Sequence, residues 1–175
     1  MAEHDGQDHG QDHGQDHGDD HGHRHGEALM ARAERLCAER RVQLTRTRRR
    51  VLEAVGGAGR PLGAYDIAEA LSAPGARVAP VSVYRALDFL GELGLVHRIA
   101  SRNAFVPCGH EHAPGESAVF LICTSCGGVD ETVSREIERG LDRTLASAGF
   151  TPASRIVEVE GECGPCLALG RAGDA

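Results

Sequence analysis

Cys123-Thr-Ser-Cys126 and Cys163-Gly-Pro-Cys166 stand 36 residues apart, and any fold of this chain has to bring them to terms with one another. A two-residue spacer in a tight turn places two thiolates close enough to share one tetrahedral ion. Two such pairs complete four-coordination with no open position, which is the pattern of a structural zinc rather than a catalytic one. The expected result is a staple that pins the end of the chain back onto a strand at 118–122. In a domain of about 70 residues with a thin core, that staple can supply most of the folding free energy. A redox role fits less well, because redox Cys-x-x-Cys motifs stand singly at a helix start. A zinc deaminase is set aside too: Ile122 precedes Cys123 where that signature needs proline, and Glu111 directly follows His110.

Around the cysteines, the chain of 175 residues has room for two small domains with an aliphatic core, since it contains no Trp. No apolar run approaches the roughly 20 residues of a membrane span. The N-terminus is acidic and His-rich where a signal peptide would carry positive charge. A cytoplasmic protein is expected, with no membrane partner, its six cysteines serving as metal ligands or free thiols. Residues 1–26 carry three copies of Gln-Asp-His-Gly, with seven histidines and seven acids in all. Nothing there can bury itself, so the segment reads as a disordered tail, either a loose reservoir for zinc or nickel or a solvated extension without a specific role.

Helical spacing begins at Glu27, with Leu29, Arg32, Ala33, Leu36 and Arg40 on a first helix that runs to about Arg41. A second helix starts after Thr45 as N-cap and buries Val51, Leu52 and Val55. A third, opened by Gly63, puts Ala64, Ile67, Ala68 and Leu71 on one face. In a fourth, introduced by Pro80, Val83, Ala86, Leu87, Leu90 and Leu93 form the apolar stripe. The period then shortens: residues 95–99 and 104–106 read as a small hairpin around Ser101-Arg102-Asn103. Compact helices followed by a hairpin make a winged helix, here with an extra leading helix. A strand at 118–122, a helix at 134–148 and a strand at 155–160 then give an α+β fold overall, with a C-terminal α/β domain. The boundaries expected are 1–26 for the tail, 27–102 for the winged helix, 103–169 for the second domain and 170–175 for a flexible end. Cys37 is expected to be a half-buried small residue rather than a ligand.

Charge singles out the middle of the chain. Residues 27–102 hold thirteen arginines against eight acids, whereas both flanking segments are acidic. A polyanion would bind there. On the fourth helix Ser82, Tyr84, Arg85 and Asp88 lie off the apolar stripe near the N-terminal end, the part of a recognition helix that enters the major groove. Arg85 is the candidate for bidentate bonding to guanine.

Leu44-Thr45-x-x-Arg48, Tyr65-Asp66, the run PVSVYRALDFL from Pro80 to Leu90, Gly91 to His97, Asn103-Ala-Phe, Phe120-Leu-Ile-Cys123-x-x-Cys126-Gly, Gly149-Phe150 and Glu158-Val-Glu-Gly161-x-Cys163-x-x-Cys166 occur in this order. Together they resemble the ferric uptake regulator family over about residues 30–169. The resemblance implies a homodimer that binds palindromic operators on double-stranded DNA when loaded with metal and represses transcription. It implies that Arg85 and Tyr65 contact bases, that Ser82 and Tyr84 lie at the DNA face, and that Cys123, Cys126, Cys163 and Cys166 hold the structural zinc. His97, Cys108 and Glu131 match ligand positions of a second, regulatory site in the zinc uptake regulator branch. The Cys108 thiolate favours zinc over harder ions. The expectation is thus two zinc ions per subunit, one structural and one regulatory. His112 is the favoured fourth regulatory ligand, with His110 and Glu116 as alternatives.

Other readings are an iron, manganese or nickel sensor on the same scaffold, or a metal chaperone that binds no DNA and uses the His-rich tail. An enzyme with a small-molecule substrate is disfavoured, because the sequence has no His-Glu-x-x-His, no phosphate loop and no Gly-x-Ser-x-Gly.

Overall fold

The computed structural model describes residues 19–110 and 117–172. His112 and Glu116, the tail repeats before residue 19 and the last three residues lie outside them. The order is α1 (Asp19–Glu39), α2 (Arg46–Gly57), α3 (Ala64–Leu71), α4 (Pro80–Glu92), β1 (Val96–Ile99), β2 (Ala104–Pro107), β3 (Ala118–Cys123), β4 (Val129–Thr132), α5 (Arg135–Ala148), β5 (Ile156–Gly161) and α6 (Gly164–Ala172).

The four leading helices bury one aliphatic cluster. Leu29, Ala33 and Cys37 of α1 meet Val51, Leu52 and Val55 of α2, Ile67 and Leu71 of α3, and Val83, Leu87 and Leu90 of α4. Local chemistry sets the helix ends. Thr45 Oγ1 accepts from the Arg48 N–H, the Asp66 carboxylate accepts from the Gly63 N–H, and Pro80 occupies the first turn of α4, where its missing N–H costs nothing. Gly94, at φ +67°, ends α4 in the left-handed region, so that the Leu95 N–H bonds back to Leu90.

α1 differs from its expected extent. It starts at Asp19 rather than Glu27, so residues 19–26, read as tail, are helical. Once the 27–39 segment is fixed by packing, each further turn adds bonds without a new nucleation cost, and Gly22 and Gly26 oppose it by only about 1 kcal/mol each. Cys37 is fully buried rather than half-buried, because it continues the Leu29–Ala33 stripe at i+4. Tyr84, placed by its spacing off the core, is half-buried against the helical cluster.

β1 and β2 form the antiparallel wing, with Leu62 bridging to Phe105 as a third short edge. The boundary drawn at 102/103 therefore falls inside one hydrogen-bonded hairpin and moves beyond Cys108, whose N–H still bonds to the Leu95 carbonyl. The second sheet has the order β4-β3-β5, antiparallel on one side of β3 and parallel on the other. β4 was not anticipated, since Val129-Asp-Glu-Thr132 holds one apolar residue. Nor was α6, which makes residues 170–172 helical rather than a flexible end. The wing lies on this sheet through a small core of Ile99 and Val106 against Ala118, Phe120 and Ile122.

Candidate metal centres and nucleic-acid interface

β3 and β5 run parallel with Cys123 opposite Gly161, which brings the two Cys-x-x-Cys turns to the same end of the sheet. The Thr124 N–H bonds to the Gly161 carbonyl and closes the pair of turns. The sulfurs of Cys123, Cys126, Cys163 and Cys166 all lie within 4.8 Å of one another. Cys126 and Cys163 stand 3.9 Å apart. A tetrahedron built on Zn–S bonds of about 2.3 Å has edges of about 3.8 Å, so the four sulfurs suit one tetrahedral zinc, whose four-coordination they complete. The N–H groups of Cys126 and Cys163 both point at the Cys123 sulfur and hold its thiol down to about 6. Cys166 is pushed up to about 12, chiefly by its hydrogen bond to Cys163 and by burial. Four thiolates so close together need a cation to shed the last proton.

The second cluster sits where the wing meets the sheet. Donor atoms of His97, Cys108 and Glu131 lie within 4.8 Å of one another. His97 Nε2 is 3.4 Å from Glu131 Oε1, close to the edge of about 3.3 Å expected between N and O donors on one tetrahedral zinc. Cys108 Sγ is 4.0 Å from the same oxygen. Cys108 was expected to come from the second domain; its pairing with Leu95 puts it on the wing, so the wing gives two donors and the sheet gives one. The His97 ring packs 5.2 Å from the ring of Phe120. Burial would lower the His97 pKa, but hydrogen bonds to Cys108 and Glu131 outweigh it and raise the ring to about 9. Cys108 shows the mirror effect: burial pushes its thiol up, yet the bond to His97 carries it below the usual range. The Cys108 sulfur also donates to the His110 carbonyl at 2.8 Å, which brings the backbone of His110 to the cluster. His110 is not among the clustered donors.

In the helical domain, Ser82 and Arg85 are exposed on α4, and Tyr65 on α3 is 69% exposed. Tyr65 and Pro80, at the start of α4, line one shallow groove together with Arg77. An exposed phenol and guanidinium on neighbouring helices, both clear of the core, can reach a duplex without unfolding anything.

Several contacts at the hinge were not read from the sequence. Arg32 of α1 bonds to the carbonyls of Gly94 and Cys108, at 2.9 and 3.4 Å. Glu158 accepts from the N–H groups of Ala100 and Ser101 in the wing's turn, at 2.7 and 3.0 Å. The available signal was the alternation Glu158-Val-Glu160, which puts two acids on one face of a strand.

A winged helix whose wing shares a three-donor cluster with a cysteine-stapled sheet defines a metal-binding, DNA-binding architecture. The chain belongs to the ferric uptake regulator family, whose model matches residues 39–160. It is 35% identical over 141 residues to the zinc uptake regulation protein of Escherichia coli (strain K12), covering 81% of this chain and 82% of that protein. A ferric uptake regulation protein of Bordetella parapertussis is 31% identical over 107 residues, 61% of this chain and 76% of that one. Among solved structures, a zinc uptake regulator complexed with zinc and DNA aligns with a TM-score of 0.77 at 32% identity, covering 83% of this chain and 97% of that one. Holo XcZur aligns at 0.70 and 38% identity, covering 82% and 99%. Among the described residues, no helix is long and apolar enough to cross a membrane.

Proposed function

We propose that this chain is a zinc-responsive transcriptional repressor that binds palindromic operators as a metal-loaded homodimer and controls zinc uptake genes. The carrying observation is the mixed donor set at the hinge: one thiolate, one imidazole and one carboxylate, two on the wing and one on the sheet. A thiolate in that set suits zinc better than iron or manganese. Bound there, zinc would tie wing to sheet, while the four-cysteine cluster would hold a second, structural ion. The fourth hinge donor is assigned to His112, four positions after Cys108 in the sequence, with His110 or Glu116 as the alternatives.

Regulation follows from which element each donor sits on. His97 and Cys108 move with the reading head, and Glu131 moves with the sheet. Bringing the three together fixes the angle of the head. In a two-fold dimer, that angle decides whether both heads meet half-sites one helical turn apart. Coupling of this kind is worth about 1–3 kcal/mol per site. Arg85 and Tyr65 then read bases, with Ser82 and Tyr84 at the same face, and the remaining arginines of the winged helix supply phosphate contacts.

The dimer is supported by apolar surface that one chain leaves bare. Leu121 is 45% exposed, Val159 48% and Phe150 63%, and α5 buries none of its residues. A second copy covering the sheet face that carries Leu121 and Val159 would satisfy an isologous two-fold interface.

The test is operator binding by the full-length protein, followed by fluorescence anisotropy on its own upstream region in zinc-buffered solution. Tight binding with zinc and its loss in chelator is expected. The same titration with iron, manganese and nickel reports which ion works at the lowest free concentration. Absence of DNA binding with every ion would point to a metal-handling protein instead.

A further inference from the structure

The wing rests on the sheet through five buried side chains, too small an interface to fix an angle firmly. Polar contacts at its edges therefore carry weight. Across the sheet, Glu131 on β4, Phe120 on β3 and Glu158 on β5 are paired in one row, so their side chains share the face on which the wing sits. Glu131 meets His97 at one flank. At the other flank, the Glu158 carboxylate takes the N–H groups of Ala100 and Ser101, one on each oxygen. Glu160, one step along the same face, pairs with Arg102 at 3.2 Å. Both contacts lie within reach of solvent, and what sets Glu158 apart is geometry: its two oxygens each take a backbone N–H of one rigid turn, whereas Glu160 holds a single long, flexible arginine side chain. The wing's turn is itself rigid enough to transmit the grip, because Asn103, at φ +47°, accepts from Arg98 and donates its N–H to Ala100.

We propose that Glu158 is a positioning residue that clasps the wing to the sheet independently of metal and thereby sets the zinc concentration at which the hinge cluster fills. The clasp belongs to the competent arrangement, since this conformation aligns over most of its length with a regulator bound to zinc and DNA. Any contact that favours that arrangement prepays part of the cost of bringing His97 and Cys108 to Glu131, so zinc binds more tightly. The zinc-linked consequence rests on the function proposed above; the clasp itself does not.

The experiment uses the full-length dimer with its structural zinc retained and follows hinge zinc by competition with a fluorescent chelator. Glu158→Ala is expected to move the midpoint to about tenfold higher free zinc, and Glu158→Gln, which keeps one acceptor oxygen, to about threefold. Hydrogen exchange at the amides of Ala100 and Ser101 should speed up in Glu158→Ala. A merely structural role would lower the fraction of active protein without moving the midpoint. An unmoved midpoint in both variants, or tighter operator binding once the acid is removed, overturns the proposal. Should Glu158→Ala fail to fold, the threefold shift in Glu158→Gln decides. If the wild type bound hinge zinc but showed no zinc-dependent operator binding, the proposed function would fall while the midpoint comparison still judged the clasp.

Discussion

Glu131 and Glu158 flank Phe120 in a single row of the β4-β3-β5 sheet, and each reaches up to a different part of the same wing. One meets an imidazole, the other a pair of backbone amides. The reading head is thus seated on an acidic rail, and the charge state of what it presents to that rail matters.

The first consequence concerns protons. With His97 raised to about 9, the metal-free cluster holds a charged imidazole against Glu131 and the Cys108 sulfur at neutral pH. Zinc needs the neutral ring, so binding must displace that proton. Hinge-zinc affinity should therefore rise by up to tenfold per pH unit between about 7 and 9 and level off above. Calorimetry at pH 7 in buffers of different ionisation enthalpy should find net proton release as the hinge site fills, and no release would contradict a charged His97 ring in the metal-free cluster.

Removing one thiolate of the staple should be structural in effect. Cys163→Ser leaves three sulfurs at the joint between β3 and β5 and takes away the donor that faces Cys126 at 3.9 Å. Zinc content should fall by one ion per subunit, and the second domain should lose its cooperative melt. Circular dichroism and metal analysis on the same sample check both.

Much of this arrangement was legible in the residues, for definite reasons. α2, α3 and α4 carry uninterrupted apolar stripes, and the cysteine pairs have a spacing that few structures other than a metal staple use. β4 stayed hidden because its neighbour β3, rather than its own sequence, holds it in the sheet. α6 begins inside Gly164-Pro165, which reads as a turn. The three-donor cluster was placed by family resemblance, since nothing local links His97 to a carboxylate 34 positions later. That Cys108 belongs to the wing depended on one hydrogen bond to Leu95, and the Glu158 clasp on a parallel register that spacing does not encode.

At the DNA face, Arg85→Ala should weaken operator binding by about 1–3 kcal/mol, roughly 5- to 150-fold, and relax preference at one position of each half-site. Because Arg85 is exposed and off the buried stripe, thermal stability should stay within about 0.5 kcal/mol. Binding to a panel of single-base operator variants separates lost base reading from lost phosphate contact.

The bare apolar face makes its own prediction. Leu121→Asp puts a charge at the centre of the sheet surface that a second copy would cover, and should weaken the dimer by tenfold or more while leaving the zinc staple filled. Sedimentation equilibrium over a concentration series reads this directly.

Cys108→Ser, prepared with its structural zinc in place, gives the sharpest measurement: operator affinity across a free-zinc titration, beside the wild type. The hinge account predicts a folded dimer that stays weakly bound at zinc levels that saturate the wild type. Equal zinc-dependent affinity in the two proteins would contradict it.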